Sequence, residues 1–103
     1  MQTGLIIEYS YAGDEAAWRA SIETFVGHIR QDPKLDGKFS YTVMRRKTDP
    51  ARRVHIPRWD SPDTLAYIQS QPWFKAFAER VKEMAGDSMQ TSPMTVEFDS
   101  QRR

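Results

Sequence analysis

The chain reads as an α+β fold with the element order β-α-β-β-α-β, and three observations carry that reading. Apolar residues recur at helical spacing in two segments. They alternate at strand spacing in four others. Asp, Ser, Gly and Pro punctuate the joins. The 103 residues fit one domain, 1–103, with no repeat or composition break.

The first strand is "GLIIEYSYAG" (4–13), closed by Gly13. Asp14 then stands as an N-cap. In the first helix Trp18, Ile22, Phe25 and Ile29 recur at spacings of four, three and four, which is one helical face. Asp32-Pro33 ends it, because proline disfavours helical geometry in the residue before it. "KFSYTVMRR" (38–46) sets Phe39, Tyr41 and Val43 against Ser40, Thr42 and Met44 and reads as the second strand. "KTDPA" is a turn cluster, and "RRVHIPRW" (52–59) is the third strand of a hairpin. Pro57 has no N–H for a ladder, so it implies an edge, a bulge or the strand end.

Asp60-Ser61-Pro62 joins a polar cap to proline at the first helical position. Leu65 and Ile68 begin an apolar stripe, and Pro72 breaks the helix near Gln71. The second piece carries Phe74, Phe77, Val81 and Met84 and is capped at Gly86. "SPMTVEF" (92–98) is the fourth strand, and "DSQRR" is a loose tail.

Two right-handed β-α-β crossings give a four-stranded antiparallel sheet of ferredoxin-like topology, with both helices on one face. The strands are apolar on both parities: Leu5, Ile7, Tyr9 and Tyr11 against Ile6, and Phe39, Tyr41 and Val43 against Met44. A second cover is needed, and a second subunit supplies it: the expectation is a homodimer through the sheet faces.

The absence of cysteine excludes disulfides and thiolate metal sites. No apolar run approaches the ~20 residues of a membrane span, and "GLII" is too short for a signal peptide. The expectation is a cytoplasmic protein without membrane partners. A net charge of +1 gives no general attraction to nucleic acid. Arg45, Arg46, Lys47, Arg52 and Arg53 cluster at one hairpin, yet Asp49 lies inside it and no aromatics interleave. They read as a solvated hairpin reaching the partner subunit.

The stretch "RWDSPDTLAYIQSQPWFKAF" (58–77), together with the element order and length, resembles the antibiotic-biosynthesis-monooxygenase family of dimeric α+β barrels. The matching features are Trp59 ending a strand, Asp60-Ser61, the helix, and the break at Gln71-Pro72-Trp73-Phe74. The resemblance implies a homodimer with sheets face to face and a pocket between sheet and helices. It also implies oxidation of phenol-, quinol- or polyketide-type aromatics by O2 without cofactor; other members bind or degrade haem. Two family histidine positions hold Ile68 and Trp73 here. The haem-degrading branch's helix Trp and His fall at Ile68 and Ala78, and its strand Asn falls near Tyr9 in a chain without asparagine. The expectation is therefore that haem is not degraded by that triad.

His55 shares the parity of Trp59 and is the candidate general base for a phenolic proton; a hydrogen-bonded structural histidine is the rival reading. Trp59 is the candidate stacking wall. Tyr67 and Trp73 have surface to spare at a pocket rim. Tyr9 and Tyr41 are candidate hydroxyl donors, with cross-strand packing as their rival reading. His28 lies beside the first helix's stripe as a boundary residue. Two lone histidines without carboxylate spacing give no metal site. The first expectation is a cofactor-independent monooxygenase of a small electron-rich aromatic. The alternatives are a barrel that binds a small apolar ligand, haem included, and a dimer whose aromatics serve packing alone.

Overall fold

The first strand forms where the alternation predicts it, but it is shorter. The computed structural model describes residues 2–100, and in it β1 (Thr3–Ser10) ends three residues before Gly13. Beyond Ser10 one more backbone bond persists, Tyr11 N–H to Ala51 O at 2.8 Å. The Tyr11 ring then folds over Gly13, whose missing side chain would meet the phenolic oxygen at 2.6 Å. Only glycine leaves that space.

Helix α1 (Glu15–Gln31) starts at Asp14, whose carboxylate accepts from the N–H groups of Ala16 and Ala17. It buries Trp18 and Phe25 and ends at Asp32; a 3-10 turn at Pro33–Leu35 follows and buries Leu35. β2 (Phe39–Arg46) and β3 (Asp49–Trp59) form the expected hairpin. β3 begins three residues earlier than its apolar pattern, because the turn shrinks to Lys47-Thr48 and a register shift at Arg45/Arg46 absorbs the extra length.

Ser61 caps α2 (Pro62–Gln69) by accepting from Thr64 N–H. Gln71 is extended at ψ 136°, as a residue before proline must be, and α3 (Pro72–Ala85) starts afresh. Gly86 closes it with φ 57°, a left-handed value that glycine adopts freely. β4 (Gln90–Thr95) departs from the expected 92–98 at both ends. Its extent is set by β1, which pairs Thr3 with Thr95 and Glu8 with Gln90. One more backbone bond, Val96 N–H to Gln2 O at 2.9 Å, follows β4, and beyond that Phe98 is almost fully exposed. The tail begins tied rather than loose: Arg58 donates to Asp99 at 3.2 Å. The rest of "DSQRR", beyond Ser100, lies outside the described residues.

The strand order is β2-β3-β1-β4, antiparallel throughout. Pro57 therefore lies in a central strand, two residues from its end; the β1–β3 register keeps its phase across it, with the pairs stepping from Gly4–Arg58 to Ile7–His55. Alternation sends Ile7, Tyr9, Tyr41, His55 and Trp59 toward the helices. There one core gathers Tyr9, Phe25, Phe77 and Val81, and another gathers Leu35, Phe39 and Ile68. The opposite face is mixed rather than wholly apolar. Ile6, Met44, Val54 and Ile56 alternate with Glu8, Arg46 and Arg52, and Met44 is half exposed.

The hairpin cations pair within the chain. Arg46 and Arg52 both bond Glu8, while Arg45 and Arg53 both bond Glu15. The arginines, led by Arg46 for Glu8 and by Arg45 for Glu15, hold both carboxyls below their ordinary range.

Candidate functional site

The strand register builds the site. His55 on β3 pairs with Ile7 of β1 and Val43 of β2, so its ring stands at the middle of the helix-facing surface. Tyr41, two residues before Val43 on β2, brings its hydroxyl to 2.6 Å from His55 Nδ1. Tyr9, two residues after Ile7 on β1, brings its hydroxyl to 2.8 Å from His55 Nε2. Trp18 on α1 donates its indole N–H to the same Tyr9 oxygen at 2.9 Å. The Trp18 ring is held from its other side by the buried Arg53 guanidinium, 4.3 Å from the ring centroid and 3.1 Å from Glu15.

Burial governs the charge state of this file. His55 and Tyr9 are 0% exposed. Desolvation pulls the imidazole from 6.5 down to about 4, so it is neutral at physiological pH. Burial pushes both the Tyr9 and the Tyr41 hydroxyls above the usual tyrosine range. The four groups form a neutral hydrogen-bonded line, and one end of it reaches a cavity.

That cavity lies between the sheet and helices α2 and α3, with a volume of about 250 Å³. Leu5, Ile7, Tyr41 and Trp59 form the sheet side, and Ile68 and Phe77 face them. Phe25 stacks on Phe77 with centroids 3.8 Å apart and closes one wall. Besides Tyr41 and Trp59, the residues with polar side chains at the cavity are Gln69 and Lys82. The volume sits just below the ~300–1,000 Å³ of pockets for drug-sized ligands. A compact ring system matches that size.

The sequence-derived candidates divide by position. Tyr41 and Trp59 line the cavity. His55 and Tyr9 stand behind Tyr41 and do not reach the wall. Tyr67 points away: its hydroxyl donates to Asp32 at 2.5 Å, and Lys34 lies over its ring. Trp73 stacks on His28 at 5.2 Å in an open groove between α1 and α3. Trp18 was read as core stripe alone. Its signal was available, since a buried indole N–H needs a partner, but the partner's identity was not. Lys82 and Gln69 carried no signal at all.

Among the described residues no group of three or more His, Cys, Asp or Glu could hold a metal ion. No helix among them is long and apolar enough to cross a membrane.

No protein-family model matches the sequence, and no curated protein matches it. Solved structures do match in fold. A single-residue variant of SnoaB, a cofactor-independent oxygenase from Streptomyces nogalater, superposes with a TM-score of 0.77 at 15% identity, covering 98% of each chain. Rv0793 from Mycobacterium tuberculosis gives 0.76 at 15% identity over 97% of this chain and 99% of its own. A protein from Chloroflexus aurantiacus described as a candidate antibiotic biosynthesis monooxygenase gives 0.71 at 18% identity over 96% of both. At such identities the likeness is one of fold, and at that level it agrees with the resemblance read from residues 58–77.

Proposed function

We propose that the protein is a cofactor-independent monooxygenase of a compact, electron-rich aromatic held between the sheet and helices α2 and α3. The carrying observation is the cavity itself: a small apolar chamber walled by aromatic rings, with one buried hydroxyl line ending in it at Tyr41. Fold neighbours that include a cofactor-independent oxygenase support the reading.

The substrate supplies the electrons. A ring CH2 conjugated through its flanking aromatic rings to a carbonyl, as in an anthrone, loses a proton to solvent and becomes an anion. The anion passes one electron to O2, and the resulting radical pair joins as a C–O bond. The peroxide takes up a proton, and its O–O bond breaks with loss of the second ring proton. One oxygen atom stays as a new carbonyl and the other leaves as water. Apolar walls admit O2 and shield the peroxide from solvent. Tyr41 and Trp59 are the substrate contacts, the first to oxygen and the second by stacking. His55 acts through Tyr41 as a positioning residue. A neutral imidazole this far below its ordinary value is a weak base and holds a proton poorly.

That weakness favours one second reading, a barrel that binds a small apolar ligand without turning it over. Oxygen uptake with a panel of anthrones and quinols, in the presence of chelator, separates the two. An enzyme consumes O2 above the protein-free rate and loses most of it in Tyr41→Phe. A binder shows ligand affinity with no uptake above that rate.

The open sheet face supports a homodimer. Ile6, Met44, Val54 and Ile56 present apolar surface that a second copy of the chain covers.

A further inference from the structure

The protons of the Trp18–Tyr9–His55–Tyr41 line can be placed by elimination. An indole N–H only donates, so the Tyr9 oxygen accepts from Trp18. The Tyr9 proton must then go elsewhere, and among the described residues the other polar partner of that oxygen is His55 Nε2. A neutral imidazole carries one N–H. Were it on Nε2, Tyr9 would receive two donors and hold its own proton against nothing, in a site with 0% exposure. An orphaned buried donor is strongly disfavoured. The imidazole proton therefore sits on Nδ1 and points at the Tyr41 oxygen, 2.6 Å away. Tyr41 accepts it, and the Tyr41 hydroxyl proton is left as the one uncommitted donor of the line. Its residue lines the cavity.

We propose that the cavity selects its ligand through this donor on its sheet side; Gln69 and Lys82, which also border the cavity, are solvent-exposed. The ligand is a compact aromatic with a hydrogen-bond-accepting oxygen, a ketone or a phenolate, seated against Tyr41. His55 and Tyr9 are positioning residues that keep the Tyr41 hydroxyl a donor. The choice of ligand rests on the cavity reading of the function; the placement of the protons does not. A keto tautomer is preferred over the corresponding neutral phenol, because the Tyr41 oxygen already accepts from His55 Nδ1–H and is a poor acceptor for a further proton.

Two measurements on the full chain test this. With 15N-histidine labelling at pH 7, and His28→Gln to assign the signals, His55 is expected as the Nδ1–H tautomer with Nε2 unprotonated. The Nε2–H form, or a doubly protonated ring, overturns the proton placement. For ligand class the probes are 1-tetralone and tetralin, which differ by one carbonyl oxygen. The folded wild type is expected to bind tetralone about 3–10-fold more tightly, the range of one hydrogen bond. Tyr41→Phe is expected to erase that preference and leave tetralin affinity within about twofold. Tyr9→Phe releases Nε2 and is expected to shrink the preference while Tyr41 remains; an unchanged preference removes Tyr9 from the positioning role. Equal affinities in the wild type overturn the donor assignment. If neither probe binds although the Nδ1–H tautomer is found, the cavity reading is what has failed.

Discussion

His55 should make the protein acid-sensitive in a pH range where carboxylates are silent. In the folded chain burial lowers its pKa to about 4, against 6.5 for an ordinary histidine. The unfolded chain thus takes up a proton below pH 6.5 that the folded chain refuses until about pH 4. This contribution to stability is complete above pH 6.5 and is lost as the pH falls toward 4. Each pH unit of the gap is worth about 1.4 kcal/mol. The full loss is about 3 kcal/mol, of which about 2 kcal/mol falls between pH 7 and pH 5. That is a large share of the ~5–15 kcal/mol of a typical domain. Glu8, Glu15 and Asp60 also have lowered values and pull in the same direction, but from starting points of 4.5 and 3.8. Stopping at pH 5 isolates the histidine. The assay is urea unfolding at pH 7 and pH 5, at one fixed protein concentration so that any association contributes equally. His55→Gln, which cannot titrate, should be less stable than the wild type at pH 7 and nearly flat between the two pH values. A wild type that is flat over this range, or a variant that loses as much as the wild type, would refute the burial argument.

Three further outcomes follow from the same contacts. Val81→Phe places a ring in the cavity; it should cost about 1–3 kcal/mol in unfolding experiments and abolish binding of aromatic probes in titration calorimetry. Ile56→Lys on the open sheet face should shift sedimentation from dimer to monomer, and a wild type that sediments as a monomer at micromolar concentration would sink the dimer. Glu15→Gln removes a partly exposed partner of the buried Arg53, which supports the Trp18 ring; the melting temperature should fall, and an unchanged value would remove Glu15 from that support.

Element order was legible in the sequence because each element carries its own local signal. The Asp14 and Ser61 caps, the Pro72 break and the Gly86 stop all fall where their chemistry puts them. Strand ends were less legible, because a strand stops where its partner does. Val96, Glu97 and Phe98 look like strand, but β1 starts at Thr3, and the pairing runs on only as the single bond from Val96 N–H to Gln2 O. The cavity was half legible. Parity alone sends Tyr41, His55 and Trp59 to the helix side. Parity does not say which group touches open space: Tyr41 lines the cavity, and His55, bonded to its hydroxyl, does not. Trp73 lies outside because Pro72 restarts the helix and resets its phase, turning that ring to His28 on α1. Tyr67 lies outside because its hydroxyl finds Asp32, a partner 35 positions away that no local pattern reveals. The Trp18–Tyr9 contact joins a helix stripe to a strand, and only the packed fold brings the two together.

The central claim is that this cavity oxygenates an aromatic with no help beyond O2. Mass spectrometry of the product formed from anthrone under 18O2, with chelator-treated protein, tests it most directly. The account predicts one 18O atom in the new carbonyl of the quinone, formed faster than in protein-free buffer, and a return to the protein-free rate in Val81→Phe. A wild-type rate equal to the protein-free rate, or turnover that appears only after a metal or flavin is added, would contradict it.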